Sequence, residues 1–270
     1  MSRALAYAGA AGGVFRRDLA LFLSYRMRFV TTVFATVVTL TLFYYVSRLV
    51  HSDRIGSPDD YYAFVVVGVV VFSLLTSTLS MPIATLRAEL LAGTFERMVL
   101  SPFGAVRSIF SLLLFPLAIS FATATVSLVY AAAVFGMHLR WPEVLLGIPV
   151  GMLGALAFAP FGLLMTAAVV LFKQTNAGST FVITGVTLLA GVYFPVTLLP
   201  GWIRWASDVQ PFTPGVDLLR NLVVGTPLPD PAWLDVTKLV GFPLVLMPLA
   251  LLALRGAVRR GRRRGTIIEY

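Results

Sequence analysis

The sequence predicts an all-α membrane protein with six transmembrane helices, on three observations. The 270 residues are 58% hydrophobic and 12% charged, with a mean hydropathy of +0.89, which is too apolar for a soluble domain of this length. Six uncharged apolar stretches are each long enough for the roughly 30 Å hydrocarbon layer. Basic residues cluster beside these stretches, as at membrane surfaces. The predicted spans are residues 29–47, 61–83, 109–135, 144–172, 181–199 and 239–254.

Residues 1–28 precede the first span and are predicted to form an amphipathic helix on the membrane surface. Phe15, Leu19 and Phe22 share one helical face, and Arg17 and Arg28 lie on the other. A cleaved signal peptide is excluded because the early run is rich in Ala and Gly and basic residues follow it.

The basic residues predict the orientation of the 29–254 membrane domain. Fifteen of the twenty-one fall on one side of a six-span topology, so both termini are expected in the cytoplasm. They are Arg3, Arg16, Arg17, Arg26, Arg28, Arg87, Arg97, Arg107, Lys173, Arg255, Arg259, Arg260, Arg262, Arg263 and Arg264. The basic tail, residues 255–270, is predicted to contact anionic lipid.

The segment before the last span, residues 200–238, is too long for a simple loop. Pro211 and Pro214 interrupt an initial helical pattern, and a second short helix is expected to end at Gly225. We predict a pair of half-inserted external helices, with an ordinary ordered outer loop as the alternative.

A polar elbow, residues 86–107, separates the second and third spans. Gly93 is a natural helix stop and Thr94 can cap a short helix. On that helix Phe95, Met98 and Val99 share one face. This face lies either in the lipid headgroups or in the socket of a soluble partner.

Two stretches carry a resemblance to a known family. The pattern E-x-x-x-G-T-F-E-x-x-x-x-S-P resembles the cytoplasmic signature of type-2 ATP-binding-cassette (ABC) exporter permeases, and residues 194–202 with 211–220 resemble their external hairpin. The resemblance implies a coupling helix in a groove of a separate ATPase. Two ATPase copies would bind ATP and Mg, and a second permease, the chain's own copy, would complete a homodimer. The implied coupling residues are Glu89, Gly93, Thr94, Phe95, Glu96, Arg97 and Met98.

The chain lacks the residues that other function classes need. The spans contain no aspartate, glutamate, lysine or arginine, which disfavours an ion-driven carrier. Neither Lys173 nor Lys238 belongs to a P-loop, there is no cysteine, and His51 and His138 lie at outer span ends. We therefore predict no catalytic site, no metal site and no cofactor in this chain. Its basic flanks are explained by the membrane rather than by nucleic acid.

Hydroxyl side chains form stripes on the second and fifth spans. In family members these spans are similar to those that line the central cleft, so we predict a translocation pathway there. Bonding of the hydroxyls to their own helix backbone is the alternative. The predicted pathway residues are Ser73, Thr76, Ser77, Ser80, Thr180, Thr184 and Thr187. Gly147, Gly151 and Gly154 are expected to allow close helix packing.

Together these features predict a permease subunit of an ABC exporter in a plasma membrane, the inner membrane of a bacterium. A cleft with hydroxyls and no charges suits an amphipathic, lipid-like or lipid-linked cargo, such as a drug, a lipid or a polysaccharide. The alternative is a membrane scaffold or signalling partner of an ATPase that transports nothing.

Overall fold

The structure is a computed structural model that describes residues 3–49, 57–91, 93, 105–172 and 176–264. Within these ranges the chain forms nine α-helices and one 3₁₀ turn. The helices are α1 (Arg3–Ser24), α2 (Arg26–Leu49), α3 (Pro58–Leu91), α4 (Ala105–Phe135), α5 (Glu143–Phe172), α6 (Asn176–Leu189), α7 (Gly201–Val209), α8 (Phe212–Val224) and α9 (Ala232–Arg264). The 3₁₀ turn is Val196–Leu198. The all-α prediction is confirmed for the described residues.

Local capping sets where the central helix α3 begins. Ser57 precedes Pro58, and proline is favoured at the first helical position. The Asp60 backbone N–H donates to Ser57 Oγ at 3.2 Å, and the Ser57 N–H donates to Asp60 Oδ2 at 3.0 Å. This reciprocal capping box satisfies two backbone donors. Helix α3 ends at Leu91, just before Gly93 with a φ of +67°.

Helices α3 and α5 form the centre of the bundle, and α4, α8 and α9 pack around them. A Cβ on Gly162 of α5 would lie 2.6 Å from the Thr78 carbonyl oxygen of α3, so these two backbones meet directly there. On the predicted glycine face, Gly151 contacts Phe121, but a methyl group on Gly154 would meet no other atom within 4 Å. A Cβ on Gly147 would lie 3.3 Å from the Leu219 side chain, so close packing is confirmed at Gly147 and Gly151 but not at Gly154, and the direct backbone contact at Gly162 lies outside the predicted face.

Two buried clusters distinguish the ends of the bundle. The elbow end holds Ile83, Leu86 and Leu254, beside Gly93. The hairpin end holds Tyr62 and Val216, beside α7 and α8. Arg-rich α9 continues to Arg264, so the predicted tail begins within a helix that packs at the elbow end.

The structure differs from the prediction at the fifth span. Residues 181–199 do not form one helix, because α6 ends at Leu189. Gly191 adopts a φ of +69°, and Pro195 lacks the N–H that a continuing helix needs. The 14 residues of α6 span only ~21 Å, less than the hydrocarbon layer. Among the described residues, α2, α3, α4, α5 and α9 are long and apolar enough to cross a membrane, so five spans are supported and six are not.

The N-terminal helix and the hairpin at residues 200–238 have the expected secondary structure. Helix α1 is separate from α2, and its Phe15 and Phe22 rings contact Phe115 of α4 at centroid distances of 5.7 and 5.5 Å. Between residues 200 and 238, α7 and α8 are short helices joined at Gln210 and Pro211, and α8 ends at Gly225 as predicted. Which side of a membrane each end faces stays a prediction.

Candidate functional sites at the elbow and the hairpin

An ion pair joins the N-terminal helix to the base of the elbow. Glu89 lies in the last turn of α3 and is only 9% exposed. Arg17 of α1 reaches it with an Nη1 to Oε1 distance of 2.8 Å, and also binds Asp18 at 2.9 Å. A carboxylate this buried needs a charged donor, and α1 supplies it. The elbow base is therefore held between α1 and α3.

The turn at Gly93 is confirmed, but the helix predicted beyond it lies outside the described residues. The positive φ of Gly93 favours glycine, and a Cβ there would meet nothing within 4 Å, so the requirement is conformational rather than spatial. The coupling residues Thr94, Phe95, Glu96, Arg97 and Met98 are all in the undescribed stretch. Their role stays a prediction.

The hydroxyl stripe of α3 is bonded within the protein. Ser73 Oγ donates to the Val70 carbonyl and Thr76 Oγ1 to the Phe72 carbonyl, both at 3.0 Å. Buried Ser77 contacts the Ser120 hydroxyl of α4. Ser80 is half-buried. These contacts are those of the packing alternative, and a pathway role for the stripe stays a prediction.

The stripe on α6 is divided between surface and core. Thr180 and Thr184 are exposed, whereas Thr187 is buried and donates to the Ile183 carbonyl at 2.6 Å. Helices α3 and α6 pack against each other, so the two predicted stripes lie on neighbouring helices. A pathway role for this stripe stays a prediction.

Sequence analysis missed Arg220, the residue that ties the hairpin to the bundle. This α8 side chain is 3% exposed, and its Nη2 donates to the carbonyls of Gly191 and Val192 at 2.8 and 2.9 Å. Its guanidinium also lies 3.3 Å from the centre of the Phe64 ring on α3, and donates more weakly to the Phe64 carbonyl. One side chain therefore joins α8, α3 and the break after α6.

Burial shifts the pKa values of Arg220 and of its neighbour Asp217. Desolvation lowers the pKa of Arg220 to about 9, against the opposing effect of Asp217, and the side chain stays protonated at neutral pH. Desolvation raises the pKa of Asp217 to about 6, and the nearby Arg220 lowers it only in part. The i, i+3 spacing of this charged pair within an apolar hairpin was the available sequence signal.

The long apolar helices define the class of the protein: a multi-pass helical membrane protein. On α2, the apolar side chains of Phe34, Leu42 and Tyr45 are 59–67% exposed, as expected for contact with lipid. The family model described as "ABC-2 type transporter" matches residues 14–224, and the chain belongs to this family of transport permease subunits.

Named relatives fall into two groups. The chain is 33% identical over 97 residues to nodulation protein J of Rhizobium meliloti (strain 1021), and 34% identical over 99 residues to that of Rhizobium leguminosarum bv. trifolii. These matches cover 36–37% of this chain, which spans a little over a third of the length of the nodulation proteins. It is also 24% identical over 250 residues to the inner membrane transport permease YadH of Escherichia coli (strain K12), covering 86% of this chain and 89% of YadH.

Proposed function

We propose that this chain is the permease of an ATP-driven exporter, moved by a separate ATPase subunit that binds the elbow. Two permeases, as a homodimer, would pair with two ATPase subunits that hold ATP and Mg. Both chain termini and the elbow would lie in the cytoplasm, and the hairpin would face outward from a bacterial inner membrane. Family membership and the similarity to an inner membrane permease support this assignment.

The observation that carries the proposal is the Arg17–Glu89 ion pair at the base of the elbow. Glu89 is buried at the end of α3, and Gly93 turns the chain four residues later. A force on the elbow would reach α3 directly and α1 through the ion pair, and α3 lies at the centre of the bundle. In this arrangement the elbow would transmit the motion of the ATPase subunit to the transmembrane helices.

The cargo is proposed to be amphipathic, lipid-like or lipid-linked, so a drug, a lipid or a lipid-carried polysaccharide. Exposed Thr184 and the half-buried Ser73 and Thr76 would contribute weakly polar contacts on otherwise apolar helices. A neutral surface of this kind accepts apolar chains and hydroxyl groups without the cost of burying a charge.

The ion pair can be tested in permease and ATPase subunits reconstituted in nanodiscs. Glu89→Gln and Arg17→Gln should each reduce permease-dependent stimulation of ATP hydrolysis, and size exclusion of each variant checks that the permease still folds. Arg16→Gln, an exposed neighbour, is the matched control. Restored stimulation in the exchanged pair Arg17→Glu with Glu89→Arg would support the ion pair. Normal stimulation in both single variants would refute its coupling role.

Phe95→Ala should weaken binding of the ATPase subunit while the permease still folds. Burial of such a ring in a partner's groove stabilises a complex by ~1.5 to 3 kcal/mol, so affinity should fall at least tenfold. Pull-down at graded ATPase concentrations measures this. Unchanged affinity together with unchanged transport would remove the coupling assignment.

The scaffold alternative and the orientation have separate tests. A scaffold that transports nothing would bind an ATPase without stimulating hydrolysis. Orientation can be read by cysteine labelling, since the native chain has no cysteine. In intact cells a membrane-impermeant maleimide should label Trp202→Cys on α7 and leave Ala88→Cys on α3 unlabelled; the reverse pattern would invert the proposed topology.

A further inference from the structure

A cavity of about 340 Å³ opens at the hairpin end, between the start of α3, the segment after α6, helices α7 and α8, and the start of α9. This volume is at the lower limit of ligand pockets and suits a small head group or one sugar ring. Its lining contains five aspartates against two arginines and one lysine. The cavity therefore has an excess of negative charge at neutral pH.

Four of the eight charged groups in the lining have hydrogen-bond or ion-pair partners among the described residues. Asp60 caps α3 through Ser57, and Asp230 binds Lys238 Nζ at 3.2 Å. Arg220 donates to backbone carbonyls. These residues shape the cavity and do not require a ligand.

Asp235 differs from the other lining residues because one of its carboxylate oxygens is buried without a hydrogen bond among the described residues. It lies in the first turns of α9, lines the cavity and is 3% exposed, yet its Oδ2 has no hydrogen-bond partner among the described residues. Lys238, one turn further along α9, binds Asp230 instead. A buried carboxylate oxygen without a donor is costly, so this group is placed to receive one from a molecule in the cavity.

We propose that the cavity binds a primary ammonium group, which donates to the Asp235 carboxylate. An ammonium group carries the opposite charge and three N–H donors, one of which can bind Asp235 while another reaches the cavity wall. The group can be carried by an aminated sugar or by an ethanolamine lipid head group, whose ammonium chemistry is the same. This site is independent of the elbow and of how ATP hydrolysis is coupled.

The test uses the full chain in nanodiscs of phosphatidylglycerol, which has no amine. Calorimetric titration with glucosamine and with ethanolamine measures binding of a soluble amine. The unfolding temperature in discs that contain phosphatidylethanolamine measures binding of an amine carried by a lipid. Asp235→Asn keeps the side-chain size and should weaken amine binding at least tenfold. The matched control Asp59→Asn, at the same end but outside the cavity and 70% exposed, should bind within twofold of wild type. A response to either source that is lost in Asp235→Asn supports the proposal and identifies the carrier.

A comparison within the wild-type protein makes the test independent of how Asp235→Asn folds. N-acetylglucosamine has the same ring without the ammonium group and should bind at least tenfold more weakly than glucosamine. Four results would each overturn the proposal. They are equal binding of the two sugars, equal amine binding by Asp235→Asn and wild type, a response to Mg²⁺ alone, and no response to any amine.

Discussion

Replacement of Arg220 by methionine should destabilise the hairpin end of the bundle by about 3–5 kcal/mol. Methionine keeps an unbranched side chain of similar length but removes the charge and all the N–H donors. The carbonyls of Gly191 and Val192, both buried, would lose donors at 2.8 and 2.9 Å. Helix α8 would then lose its polar link to α3 and to the break after α6.

The magnitude follows from opposing terms. Each short charge-assisted bond is worth about 1.5–3 kcal/mol, and the contact with the Phe64 ring up to about 2 kcal/mol. Burial opposes this, because desolvation lowers the pKa of Arg220 to about 9 and so disfavours the charged form. Removal of the arginine relieves that penalty but leaves two buried carbonyls without a donor, at about 1–3 kcal/mol each, and Asp217 without its nearest cation. Deletion of one partner of a buried charged pair typically costs about 3–5 kcal/mol, and the same range is expected here because the buried carbonyls lose their donor.

Thermal unfolding of the detergent-solubilised protein, followed by size exclusion, measures the effect. A loss of 3–5 kcal/mol should lower the midpoint by about 10 °C for a chain of this size. Arg140→Met is the matched control, since Arg140 donates to the Asn221 carbonyl of α8 at a longer 3.4 Å and its side chain is 49% exposed. The reasoning would be refuted if both variants unfolded within about 2 °C of the wild-type protein.

Two further predictions concern packing and pH. Gly162→Ala should lower the unfolding midpoint because its methyl group would meet the Thr78 carbonyl oxygen at 2.6 Å. Gly154→Ala on the same helix is the control and should be neutral or stabilising by up to about 1 kcal/mol. Equal midpoints for the two variants would refute the close approach of α5 to α3. Asp217, with its pKa raised from 3.8 to about 6, binds more protons folded than unfolded between these values, so its contribution to stability is lost as pH rises from about 4 to 6. Asp217→Asn should flatten this slope and be more stable than wild type at pH 7 by up to ~3 kcal/mol; an unchanged slope in urea titrations across this pH range would contradict the burial argument.

The candidate sites were only partly predictable because their residues carry different kinds of signal. Gly93 and the end of α8 at Gly225 were predicted, since a helix stop is a local property of the backbone. Glu89 was identified from a motif, but its partner Arg17 lies 72 positions earlier and was expected only to face the membrane surface. Arg220 was overlooked, although it ends the 211–220 stretch that resembles the family's hairpin, because its role depends on carbonyls from two other segments.

By itself the sequence determined that this is an all-α membrane protein, because hydropathy and helix length are properties of consecutive residues that a bilayer selects directly. It also determined the helix breaks at Gly93 and Gly225, through residues with unusual backbone freedom. Tertiary structure decided that the chain after Leu189 brings two carbonyls to Arg220. It also placed Asp235 in the lining of a cavity, with one carboxylate oxygen that has no hydrogen-bond partner among the described residues. Both outcomes depend on contacts between residues that are far apart in the sequence, and the pattern of apolar residues does not specify those contacts.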